Sequence, residues 1–153
     1  MNGFSWSGCN TSTMAGPRGE SPREAVNRLV ASRGQSSVID RCLEVLDAGE
    51  VDAEHLVGLS GQHVELVLSD RDGGVEGYWP LVWVLRALTY TWDDAAAPHV
   101  IDALSHESWR VREMAQRVIR RQRSRGAFPA VTDLLLDPVK RVRDAATKTL
   151  GRT

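Results

Sequence analysis

Trp79, Trp83, Arg86 and Tyr90 follow one another at spacings of four, three and four residues. If that segment is a helix, they share one face. Trp109, Glu113, Gln116 and Arg120 carry the same spacing about 30 residues on, with Arg117 beside them. Trp, Tyr and Arg are the residue types that dominate binding hot spots, so this pair of stripes points to recognition more than to bond-making. The alternative for the tryptophans is plain core packing. Groups that make or break bonds are harder to find. The sequence has no glycine-rich phosphate loop, no zinc-ligand spacing and no nucleophile elbow. His55, His63, His99 and His106 are dispersed. Two of them sit next to an acid, as Glu54-His55 and His106-Glu107, and adjacent residues on a helix point apart, so neither pair can act as joint ligands. The histidines are read as surface or capping residues. No catalytic residue, metal or cofactor is expected.

The charges divide the chain. Before Glu107, acids outnumber the seven arginines by about two to one; from Glu107 onward twelve basic residues face five acids. The basic half includes Arg110, Arg117, Arg120, Arg121, Arg123, Arg125, Lys140 and Arg141. Such an excess suits phosphate contacts, but it also suits solvated helix faces and structural Arg–Asp pairing. Cys9 and Cys42 do not make a disulfide framework and are expected to be thiols in a reducing cytosol. No apolar run approaches the length that crosses a bilayer, and the start of the sequence is not a secretory signal. A cytoplasmic location is expected.

These side chains need helices to hold them. Residues 1–20 lack hydrophobic period and read as a disordered tail. Ser21-Pro22-Arg23-Glu24 opens a helix as a capping box with proline in its first turn, and Gly34 ends it. Further helices are expected over Ser36–Ala48, Asp52–Leu59 and Gln62–Ser69. A loop around Gly73-Gly74 spans Asp70–Gly77. Five helices then follow over Tyr78–Tyr90, Asp94–Ser105, Ser108–Arg123, Ala127–Leu136 and Pro138–Leu150. No long strand pattern occurs, so the fold class is all-α.

The C-terminal half repeats itself. Val111, Arg112, Glu113 and Ala115 align with Val142, Arg143, Asp144 and Ala146 at an offset of 31 residues, a period typical of solenoids. Leucine-rich segments precede both, and Trp79-Pro80-Leu81 aligns more loosely with Trp109-Arg110-Val111. Small Ala115 and Ala146 let neighbouring helices approach closely. The stretch Leu136-Asp137-Pro138-Val139-Lys140-Arg141-Val142-Arg143-Asp144-Ala145-Ala146 resembles the HEAT repeat, in particular its short phycobilin-lyase-type form. The resemblance is clearest over 94–124 and 127–151 and looser over 60–92.

That resemblance implies a right-handed α-solenoid of about three to four stacked antiparallel hairpins, as one domain over 21–151. It also implies an Asp–Arg ladder between repeats. Asp137 and Arg143 occupy its positions, so Arg143 is expected to pair with Asp137. In the preceding unit Arg112 is present, but His106 replaces the aspartate.

A solenoid of this kind lines a concave groove with its second helices. The expected function is a non-catalytic module that binds a protein or peptide partner there, through Trp79, Trp83, Arg86, Tyr90, Trp109, Glu113, Arg117 and Arg120. The alternative is nucleic-acid binding through the basic half. One HEAT-like family, the alkylpurine DNA glycosylases, uses aromatics and an acid in such a groove, and Trp109, Trp83 and Glu113 are the matching candidates. A bilin-attachment role is the more remote implication of the lyase-type repeat.

Overall fold

A computed structural model describes residues 20–48, 53–60 and 78–151. The expected tail (except for Glu20), the Gln62–Ser69 helix, the Asp70–Gly77 loop, Cys9 and His63 lie outside these residues. Glu20 does not behave as tail: it is buried, and its carboxylate accepts from Arg28 Nε at 2.9 Å.

Helix α1 spans Pro22–Arg33 and starts as its sequence dictates. The Ser21 hydroxyl accepts from the Glu24 N–H (3.2 Å), and the Glu24 carboxylate accepts from the Ser21 N–H (2.7 Å). Gly34, at φ +86°, closes the helix in a conformation that L side chains avoid. Helices α2 (Gln35–Ala48) and α3 (Ala53–Ser60) follow, then α4 (Trp79–Ala87), α5 (Ala97–Ala103), α6 (Trp109–Gln122), α7 (Phe128–Asp133) and α8 (Lys140–Leu150). All regular structure among the described residues is helical.

The later helices are shorter than their periodicity suggests because their ends tighten into 3₁₀ turns, at Asp94–Ala96 before α5 and on both sides of α7. Prolines at the first turns of α4, α5 and α7 require no N–H there. Helix α6 ends on Arg123 in the left-handed region, φ +55°.

Helices α4, α6 and α8 form one layer, each packed on the next, with α5 against α6 and α7 against α8. Helix α2 packs on both α4 and α5, which is the place of an outer helix in the hairpin completed by α4. Val84, Leu85 and Leu88 of α4 and the turn after it, Val111, Ala115, Val118 and Ile119 of α6, and Val142 and Ala146 of α8 are buried along this layer. Burying each of the larger side chains stabilises by about 1.5–3 kcal/mol, so apolar stacking drives assembly. Polar bonds between units fix the register: Gln116 Nε2 donates to the Val142 carbonyl (3.3 Å), and Gln122 Nε2 to the Leu88 carbonyl (2.9 Å). Equivalent leucines of the two units differ in exposure. Leu104 is 3% exposed, whereas Leu135, its counterpart, is 38% exposed and Leu136 is 89% exposed.

Candidate functional site

The turn before each second helix is built the same way twice. The Val139 N–H donates to Asp137 Oδ1 (2.8 Å) and the Ser108 N–H donates to His106 Nδ1 (2.9 Å). An imidazole nitrogen thus takes the place of the carboxylate oxygen in closing the turn. Arg143 Nη1 donates to the Asp137 carbonyl (2.7 Å), as Arg112 Nη1 does to the His106 carbonyl (2.8 Å).

The ion pair, however, runs between units. Arg112 Nε and Nη2 grip the two Asp137 carboxylate oxygens at 2.8 and 3.1 Å. The expected Asp137–Arg143 side-chain pair is therefore corrected: Arg143 holds the backbone of its own unit, and Arg112 of the preceding unit holds the carboxylate. Burial would raise the Asp137 pKa, but the bonds from Arg112 and the Val139 N–H, with the charges of Arg112 and Arg143, bring it below the ordinary carboxylate value. The positions corresponding to Arg112 in the α4 unit are Leu81 and Val82. With no cation there, an aspartate at position 106 would lack the cross-unit ion pair that Asp137 makes with Arg112.

The aromatic stripe divides. Trp83 is 4% exposed and belongs to the core. The Arg86 guanidinium lies over its ring, 3.6 Å from the centroid, so Trp83 supports Arg86 and its covered face is closed to a ligand or base. Trp79, Tyr90 and Trp109 are half-buried. Arg110 lies between aromatics of successive units, 5.7 Å from the Trp79 ring and 4.7 Å from that of Trp109, and Arg141 covers Trp109 from the next unit at 5.2 Å. These cation–π contacts are absent from the sequence reading. The signal was available: Arg110 and Arg141 are 31 residues apart, and each lies against an aromatic of the preceding unit.

Between α6 and α8 lies a depression of about 400 Å³, lined by Glu113, Met114, Arg117, Arg120, Arg141, Asp144, Ala145 and Lys148. Glu113, Arg117 and Arg120 were expected at such a surface; Met114 and the α8 residues were not. Arg141 Nη2 donates to one Glu113 oxygen at 3.0 Å, while the other Glu113 oxygen is buried and accepts no hydrogen bond. Arg86, on α4, is half-buried. Burial pulls its pKa down to about 10, and the charge of Arg117 acts in the same direction against the influence of Tyr90. Arg86 is still a cation at neutral pH.

One pair elsewhere has the residue types of a nucleophile and its base. Cys42 Sγ and His55 Nε2 are 3.4 Å apart, and both residues are fully buried. His55 is thus neither a surface nor a capping residue, contrary to expectation. Burial pushes the Cys42 thiol up to about 12, which leaves it protonated and unreactive at neutral pH. His99 contacts Asp47. Among the described residues no three or more His, Cys, Asp or Glu are grouped to hold a metal, and no helix is long and apolar enough to cross a membrane.

Residues 82–153 match the family model described as HEAT repeats. The match is to HEAT repeats in general and does not single out the phycobilin-lyase type. No curated protein and no solved structure matches the chain.

Proposed function

Residues 82–153 are HEAT repeats, and on that premise we propose that the chain is a non-catalytic interaction module that takes a protein or peptide partner in the groove between its second helices. The observation that carries this reading is the depression of about 400 Å³ spanning α6 and α8, with Met114 and a set of charged side chains along it. Such a groove pre-organises its contacts, because each lining residue sits on a helix fixed by the stacked core. Two features favour a protein over nucleic acid. Trp83 offers no open platform for a base, and Glu113 and Asp144 place negative charge among the cations.

Asp144→Trp tests the groove. Asp144 is exposed and pairs with Lys140 at the surface, so the indole should fill the depression without unfolding the chain. Partner capture should be lost at an unchanged melting temperature, while Thr132→Trp on the exposed outer surface of α7 should capture as the parent does. Capture that survives Asp144→Trp would remove the groove from the account.

A further inference from the structure

One repeat position shrinks along the second helices. Setting α4 31 residues before α6 brings buried Val84, Leu85 and Leu88 onto buried Ala115, Gln116 and Ile119. In that register Trp83 corresponds to Met114, and Met114 corresponds to Ala145 of α8 at the same offset of 31. Three residues further on, on the same helix face, every unit carries a cation: Arg86, Arg117 and Lys148. The side chain thus steps down from Trp to Met to Ala while the cation is kept.

The α4 unit shows what ring and cation do together. Trp83 is 4% exposed, and the Arg86 guanidinium lies 3.6 Å from its ring centroid. Where the smaller residues stand, the surface sinks into the depression of about 400 Å³, with Met114 and Ala145, Arg117 and Lys148 in its lining. That exceeds the roughly 300 Å³ at which ligand pockets begin. Arg117 and Lys148 are exposed, so a partner reaches both. The acids of the lining, Glu113 and Asp144, are bound to Arg141 and Lys140. An aromatic ring suits this lining better than a carboxylate or an aliphatic chain. Its face is negative and its edge positive, so cations attract the face and carboxylates tolerate the edge. A partner carboxylate would meet two acids, and an aliphatic chain would gain nothing from the cations.

We propose that the depression is a seat for an aromatic side chain of the partner, with Arg117 and Lys148 as the cations that cover the ring. This rests on the groove being the binding surface.

The test uses the full chain and three blocked pentapeptides that differ only in a central Trp, Leu or Glu among Gly and Ser, titrated and followed by amide NMR shifts. The Trp peptide should shift Met114 and Ala145 most, and bind about fivefold or more tighter than the Leu peptide, the scale of one cation–π contact. The double variant Arg117→Met, Lys148→Met should lose that preference and hold the Leu peptide within about twofold of the parent, a shift well under one such contact. Arg125→Met, at an exposed position outside the lining, should keep the preference. The proposal is overturned by no binding of the Trp peptide, by shifts centred elsewhere, by equal binding of the Trp and Leu peptides, by tighter binding of the Glu peptide, or by a preference that survives in the double variant. Loss of partner capture in Asp144→Trp with no preference for the Trp peptide would keep the groove and remove the aromatic seat. Unchanged capture in Asp144→Trp would remove the groove itself.

Discussion

Val142→Asp should abolish the cooperative thermal transition of the C-terminal hairpins. Val142 is completely buried on α8, where α8 meets α6, and its own carbonyl receives the cross-unit bond from Gln116. A carboxylate there loses the valine burial and has no designated cation, since the nearby Arg143 is spent on the Asp137 carbonyl. Burying an unpaired polar or charged group falls at the severe end of single substitutions, about 4–5 kcal/mol or more. A whole domain holds only about 5–15 kcal/mol, and stacked repeats depend on their neighbours. Circular dichroism on heating is the check. A sharp transition within a few degrees of the parent would mean that Val142 does not face the stacked layer.

Arg112→Ala should be the next most damaging change, and far worse than Arg143→Ala. The Arg112–Asp137 pair is bidentate and nearly dry, with side-chain exposures of 13% and 4%. Removing one partner of such a pair costs about 3–5 kcal/mol, because the other charge is left buried alone. Arg112 also donates to two carbonyls, those of His106 and Glu107. Arg143 makes a single bond to a carbonyl, and its loss should cost about 1–2 kcal/mol.

The pair has a pH signature. The Asp137 pKa is lowered in the folded state. A carboxyl of that kind adds stability that is fully present above its unfolded pKa and is lost as pH falls through the folded value. The parent should therefore lose this contribution on acidification below the ordinary carboxylate value of 3.8. Arg112→Ala should lose less over the same range, because the arginine that lowers the pKa is gone. Urea unfolding at neutral and acid pH measures both effects. Equal destabilisation by the two alanine variants would contradict the cross-unit assignment.

The pairing shows where sequence reasoning reached and where it stopped. Aligning the repeat placed Arg112 on Arg143 and His106 on Asp137 correctly, since equivalent residues make equivalent bonds within each unit. Alignment identifies equivalents, not contacts, and the rung joins the arginine of one unit to the aspartate of the next, 25 residues away. The same limit hid the Arg110 and Arg141 stacks. Helical period put Trp79, Trp83, Arg86 and Tyr90 on one stripe, yet a stripe at the edge of a layer has a wet side and a dry side. Trp83 falls on the dry side and Arg86 covers it. The capping box at Ser21 was legible because all of its partners lie within four residues. The tight 3₁₀ ends of the later helices were not, because tertiary packing sets where a helix tightens.

The central claim is that partners meet this chain on its second helices. Site-specific photo-crosslinking tests it most directly, with the probe residue placed at Arg117 on α6 in one protein and at Thr132 on the outer helix α7 in another. Both positions are exposed, so access alone does not favour either. The account predicts that the partner crosslinks from position 117 and not from position 132. Crosslinking from 132 with none from 117 would contradict it.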